Sequence, residues 1–253
     1  MAGELKRSIL ITGASSGIGE ALALAYAGPG CFLALGGRDA ARLKAVAEAC
    51  RKLGADVDAK PVNVADGAAM KDWITSLDQA HPFDLIIANA GITTDTRGDA
   101  GDAGDAILQI NVQGVRNSVE PLIPTMRGRG RGQIALVSSL AGYRGMPSAP
   151  AYSASKAWVK SWGEALRGSL YGDGIRVSVI CPGFVVSHIT DTNHFAMPLI
   201  MDAKRAARII MRGLDRKQAQ IAFPYRLHFL MWLLAALPPV LTDRLFRGMP
   251  SKE

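Results

Sequence analysis

The chain has 253 residues, 49% of them apolar and 20% charged, which suits one large α/β domain or two small ones. Its net charge of +7 is concentrated: from Met201 onward ten Lys or Arg face four Asp or Glu, beside the most apolar stretch of the sequence. That distribution argues against nucleic-acid binding, and three scattered cysteines, Cys31, Cys50 and Cys181, argue against a metal site or a disulfide framework.

Met1 to Arg7 is short and charged and reads as neither a signal peptide nor a membrane anchor. An apolar strand, Arg7 to Thr12, runs into Thr12-Gly-Ala-Ser-Ser-Gly-Ile-Gly19, and an amphipathic helix follows with Ile18, Leu22, Ala25 and Tyr26 on one side. A strand, a tight glycine turn and a helix N-terminus form a pyrophosphate cradle, because glycines let the backbone approach and free N–H groups meet the anion. The spacing is Gly-x-x-x-Gly-x-Gly, not the standard Gly-x-Gly-x-x-Gly. A second strand, Cys31 to Leu35, ends in Gly36-Gly-Arg-Asp39 before a helix from Ala40 to Leu53. Asp39 is expected to cap that helix, leaving Arg38 to meet a 2′-phosphate, so NADP(H) is favoured over NAD(H).

Asp56 to Val62 reads as a third strand, with Asn63 and Val64 at its carboxyl end, where an adenine would lie. A helix from Ala65 to Gln79 and a strand from Phe83 to Ala88 follow, ending in Asn89-Ala-Gly91. This rhythm predicts right-handed βαβ units and a parallel sheet with ligands at the carboxyl ends of its strands. Gly98 to Asp105 reads as a loop, and the helix after it carries Asn111, a mid-helix amide that competes for backbone hydrogen bonds. Arg127, Arg129 and Arg131 alternate with glycines in an expected solvated turn. A fifth strand, Gln133 to Val137, ends in Ser138-Ser139, and a loop spans Leu140 to Ala151. The next helix, from near Tyr152 to Tyr171, places Tyr152 and Lys156 on one face. A neighbouring ammonium lowers a phenol's pKa from about 10, so this pair is expected to move a proton. Ile175 to Ile180 is the sixth strand, closed by Cys181-Pro-Gly183.

In this order and spacing, Thr12 to Gly19, Asn89-Ala-Gly91, Asn111, Ser138-Ser139, Tyr152-x-x-x-Lys156 and Pro182-Gly183 form a specific set. From about Ser8 to Ser187 the chain resembles the classical short-chain dehydrogenase/reductase family. The resemblance implies a Rossmann-type, doubly wound α/β sheet of about seven parallel strands with helices on both faces. It also implies a nicotinamide cofactor, hydride transfer at a carbonyl or alcohol carbon, and a catalytic set of Asn111, Ser139, Tyr152 and Lys156. Ser139 is preferred to Ser138 because the family places its serine thirteen residues before the tyrosine. The expected cofactor contacts are Gly13, Ser15, Ser16, Gly17, Ile18, Gly19, Arg38, Asn63, Val64, Asn89, Ala90, Gly91, Tyr152, Lys156, Pro182, Gly183, Val185 and Ser187. Tyr152 would exchange the proton, Ser139 would bond the substrate oxygen, and Lys156 would lower the Tyr152 pKa and hold ribose hydroxyls. Asn111 would anchor a water on the proton path. Two positions depart from the family: Asn63-Val64 stands where Asp-Val is common, and Ser187 where a threonine is.

Beyond Ser187 the pattern gives out. His188 to Met201, with Phe195, Met197, Leu199 and Ile200, reads as an apolar flap, and His188 and His194 as lid residues, not metal ligands. Asp202 to Lys217 reads as a basic amphipathic helix and Gln220 to Phe223 as the seventh strand. Residues 1–224 are thus expected as the nucleotide-binding domain, with a flap near 187–201, and 225–253 as an apolar helical extension. His228 to Leu237 would rise only about 15 Å as a helix, too short to span a bilayer. Pro238-Pro239 interrupts it, and a second short helix carries Leu241, Leu245 and Phe246 beside Arg244 and Arg247. Its expected contact is a partner subunit in a homo-oligomer, dimer or tetramer, or peripheral membrane contact through 225–247, with a core helix the weaker choice. The expected protein is a cytoplasmic NADP-dependent oxidoreductase for an apolar, lipid-like carbonyl or alcohol, with a non-catalytic nucleotide sensor or scaffold as the alternative.

Overall fold

Short runs rich in Ile, Leu, Val and Ala form seven strands: β1 (Arg7–Thr12), β2 (Cys31–Gly37), β3 (Asp56–Pro61), β4 (Leu85–Ala88), β5 (Gly132–Val137), β6 (Ile175–Pro182) and β7 (Gln220–Phe223). The computed structural model describes residues 7–93, 103–187, 197, 199–238 and 240–242. His188, His194, Phe195 and the expected short helix carrying Arg244, Leu245, Phe246 and Arg247 lie outside them. All strand pairs are parallel, in the order β3-β2-β1-β4-β5-β6-β7.

Consecutive apolar residues within a strand are explained by helices on both faces. Ile9 and Ile11 share one buried cluster with Leu22 of α1 (Gly17–Tyr26), Leu43 of α2 (Ala40–Lys52) and Ile210. Leu10, between them, belongs to the opposite cluster with Ile74 of α3 (Gly67–Ala80) and Val159. α4 (Ala103–Leu108) continues through a π-helical turn, Gln109–Gln113, into α5 (Gly114–Val119), and α6 (Ile123–Arg129) leads to β5. The sheet is completed around α7 (Pro150–Leu170), α8 (Ala203–Asp215) and α9 (Tyr225–Ala236).

Several boundaries differ from the sequence expectation. β2 runs on to Gly37 because Gly36 and Gly37 still pair with Lys60 and Pro61, and β6 runs through Pro182 beside Phe223. α7 begins at Pro150, whose fixed φ suits a first helical position. Ala103 to Asp105, expected within a loop, belong to α4. The arginine turn is more than a solvated face: Arg129 Nη1 lies 2.8 Å from the buried Asp78 Oδ2, and Arg127 pairs with Asp173 at 2.6 Å.

Candidate active site

The strand order reverses between β1 and β4, and ligands of open parallel sheets bind in the crevice at such a point. Asn89, just past β4, ties the two strand ends together. Its side-chain amide donates to the Thr12 and Gly13 carbonyls at 3.0 and 3.1 Å, and its backbone N–H donates to Thr12 Oγ1 at 3.2 Å. Gly13 and Gly17 have φ of +66° and +58°, a region that favours glycine. A Cβ added to Gly13 would stand 2.8 Å from Ala90 Cα, and one on Gly19 would stand 2.2 Å from the Gly13 carbonyl oxygen. Ser16, at the N-cap of α1, makes no side-chain cap bond. The glycines thus let the turn pack against Ala90, Asn89 and Ser187, and the helix N-terminus presents backbone donors beside it, which fits a dinucleotide pyrophosphate.

A cleft of about 1150 Å³ extends from this cradle. Gly13, Ser15, Ser16, Gly17, Ile18, Arg38, Val64, Asn89, Ala90, Gly91, Ser139, Tyr152, Lys156, Pro182, Gly183, Val185 and Ser187 all line it. Gly19 lies beneath the cradle, and Asn63 is exposed outside it, its Oδ1 accepting from the Ala65 N–H at 3.1 Å. Those two expected cofactor contacts do not line the cleft. At the end of β2, Asp39 caps α2 as expected, accepting from the Arg42 N–H at 3.0 Å and from Arg42 Nε at 2.7 Å. These bonds hold its carboxyl below the usual range. Arg42 also lines the cleft beside Arg38 and was not foreseen.

Of the four expected catalytic residues, Ser139, Tyr152 and Lys156 line the cleft, while Asn111 is fully buried and does not. Ser139, following β5, lies beside Tyr152, which occupies the first turn of α7, and its Oγ accepts from the Ala141 N–H at 3.1 Å. Lys156, one turn on, is 4% exposed and donates to the Val137 carbonyl at 2.9 Å. Its Nζ stands 5.8 Å from the Tyr152 ring centre. Burial lowers the Lys156 pKa to about 8. The expectation that Lys156 depresses the Tyr152 pKa is corrected: burial raises it, and the opposing influence is the nearby Ser139 hydroxyl. Asn111 sits in the π-helical turn, fully buried, and its place there has a clear cause. Its Oδ1 accepts from the Ile92 N–H at 2.8 Å, and its Nδ2 donates to the Ile92 carbonyl at 2.9 Å and to Ser155 Oγ at 3.0 Å. It therefore locks the segment after β4 against α7. Gly91 lets this happen, since a Cβ there would approach Lys156 Nζ at 3.2 Å and Asn111 Oδ1 at 3.3 Å.

A family model described as short chain dehydrogenase matches residues 7–196. The chain is a classical short-chain dehydrogenase/reductase. It is accordingly an oxidoreductase acting on CH–OH or C=O groups with a nicotinamide cofactor, which sets aside the non-catalytic sensor. Among similar proteins, an uncharacterized oxidoreductase of Myxococcus xanthus is 37% identical over 96% of this chain and 97% of its own length. A 3-oxoacyl-(acyl-carrier-protein) reductase of Thermotoga maritima is 34% identical over 72% and 75%. A short-chain dehydrogenase of Sphingobium yanoikuyae, solved in complex with NADPH, shares the fold with a TM-score of 0.77, covering 98% of each chain at 23% identity.

What sequence reasoning missed in this short-chain dehydrogenase/reductase is the far wall of its cleft. Leu227, Leu230, Met231 and Leu234 of α9 line it, and Met231 packs with Leu140, Val179 and Cys181. Their i, i+3, i+4, i+7 spacing was the available signal. It was obscured because the outward face is apolar too: Phe229 and Trp232 are each 53% exposed. Met197, expected in the flap, also lines the cleft.

Proposed function

We propose that this protein is an NADP(H)-dependent carbonyl reductase or alcohol dehydrogenase for apolar, lipid-like substrates. The observation that carries the reading is the meeting of Ser139, Tyr152 and buried Lys156 with an apolar wall on the opposite side of the same cleft. The nicotinamide, when bound, supplies or accepts the hydride. In reduction, Tyr152 gives its hydroxyl proton to the substrate oxygen, and Ser139 donates a second hydrogen bond where negative charge develops. Lys156, held by the Val137 carbonyl, would hold the ribose hydroxyls of the cofactor. Asn111 is a positioning residue under this reading, because its amide is committed to Ile92 and Ser155.

The preference for NADP(H) rests on Arg38 and Arg42, two guanidinium groups at the end of β2, with Asp39 already bonded to Arg42. A screen of ketones and alcohols of graded chain length with both cofactors tests the whole reading. Arg38→Ala and Arg42→Ala are each expected to lower kcat/KM for NADPH roughly tenfold to a hundredfold, with little change for NADH. Equal losses with both cofactors would remove the basis for the preference.

The outer face of α9 completes the proposal. Tyr225, Phe229, Trp232 and Leu233 are exposed, and no Asp or Glu occurs from Arg216 to Thr242, while Arg216, Lys217 and Arg226 do. An apolar and cationic surface with Trp and Tyr suits peripheral contact with an anionic lipid interface. No helix among the described residues is long and apolar enough to cross a membrane.

A further inference from the structure

Two consecutive side chains in the loop after β5 reach across to the C-terminal segment. The Tyr143 hydroxyl lies 3.0 Å from His228 Nε2 on α9, and Arg144 Nη2 donates to Thr242 Oγ1 at 2.8 Å, beyond that helix. Gln220 Nε2, on β7, donates to the same Tyr143 hydroxyl. With Gln220 on one lone pair, the Tyr143 hydroxyl keeps its proton and a second lone pair, so it donates to His228 Nε2 in one imidazole tautomer and accepts from it in the other. A polar cluster so joins loop, β7 and α9 beside an apolar layer of Leu140, Val179, Cys181 and Met231.

What the cluster holds is the wall of the cleft. Leu227, which precedes His228, and Leu230, Met231 and Leu234 form one stripe of α9 facing the cavity. The loop that supplies Tyr143 starts at Ser139 and leads into α7, which carries Tyr152. Tyr143 therefore ties the proton-transfer side of the cleft to its apolar side. We propose that Tyr143, Gln220 and His228 form a latch that seats α9 and so sets how well the cleft takes bulky apolar carbonyl compounds, a role that rests on the catalytic reading above. All three are positioning residues: their side-chain hydrogen bonds join them to one another and to Cys181.

The latch is sensitive to protonation. Burial lowers the His228 pKa from its ordinary 6.5, so the ring is neutral near pH 7. An imidazolium donates from both nitrogens, so it could no longer accept the Tyr143 proton, and its charge would be partly desolvated where it sits. The groups facing this cluster give it no better partner. From β6 comes the Cys181 thiol, 3.9 Å from Gln220 Nε2; from α7 comes Lys160, 5.2 Å from the Tyr143 ring centre and paired with Glu164 at 2.7 Å. Because the folded value lies below the unfolded one, the contribution of the latch is present above 6.5 and lost as pH falls through the lower, folded value.

The test compares His228→Ala, Tyr143→Phe and His228→Gln with the wild type, using a small ketone and a bulky apolar ketone, with hydrogen exchange of residues 225–236 measured alongside. In His228→Ala and Tyr143→Phe, KM for the bulky ketone is expected to rise roughly three- to tenfold while kcat, NADPH affinity and KM for the small ketone stay near wild type. Exchange in α9 should quicken in both. Tyr143→Phe keeps the volume of the ring and so separates loss of the bond from loss of packing. His228→Gln, which can still accept the proton and does not titrate, should restore KM and abolish its rise at acid pH. Unchanged KM, an equal shift for both ketones, or unchanged exchange in α9 would overturn the latch. A wild type that reduces neither ketone sinks the catalytic reading alone, and the exchange comparison still decides whether α9 is latched.

Discussion

Ser138 and Ser139 are chain neighbours with the same hydroxyl and different surroundings. Ser138 is buried and donates to the Lys156 carbonyl at 2.6 Å, whereas Ser139 lines the cleft beside Tyr152. Ser138→Ala should therefore cost about 1–3 kcal/mol of stability, because a buried acceptor loses its donor, with kcat little changed. Ser139→Ala should do the reverse, lowering kcat by about a hundredfold or more at nearly unchanged Tm. Tyr152→Phe should lower kcat roughly a hundredfold to ten-thousandfold while cofactor affinity holds; wild-type rates in that variant would refute the proton-transfer role. The positions of Ser139, Tyr152 and Lys156 were legible because family spacing marks them. Their electrostatics were not, since burial around Tyr152 depends on residues far away in the chain. Arg42 escaped notice for a related reason: a helix arginine gains meaning only once Asp39 and the β2 end are seen beside it.

At the scale of elements, the catalytic geometry depends on how closely α7 approaches the sheet. Gly163 allows that approach, since a Cβ there would stand 2.6 Å from Val179 Cγ2 and 2.8 Å from Leu136 Cδ1. Gly163→Ala is expected to destabilise the fold by about 1–3 kcal/mol and, by displacing the helix that carries Tyr152 and Lys156, to reduce kcat. Thermal unfolding and steady-state kinetics on the same preparation check both halves; a variant with wild-type values in each would show that α7 has room to spare. Apolar runs and glycine turns made the strands legible, and the order of the motifs made the sheet legible. Strand ends shifted at Gly37 and Pro182 because pairing partners, not local preference, decide where a strand stops. The π-helical turn at Asn111 left no local signal, for its cause is the Ile92 backbone nineteen positions away.

For the molecule as a whole, one helix gives the cleft its apolar wall and the surface its apolar patch. The composition of α9 was plain from the sequence, but its orientation was not, because a helix apolar on both sides has no preferred stripe. Deleting it would strip the cleft as well as the patch, so the surface proposal needs exposed positions alone. Phe229→Ser combined with Trp232→Ser should abolish sedimentation with anionic vesicles while leaving turnover of a small soluble ketone intact. A change in subunit number instead would assign the patch to a partner copy. The separation of the wall from the catalytic set has a further consequence. Every residue placed in proton transfer or the phosphate cradle precedes position 188, while the α9 wall begins at Leu227. Rewriting the last few dozen codons could therefore give this protein a new apolar wall without touching the residues that precede it.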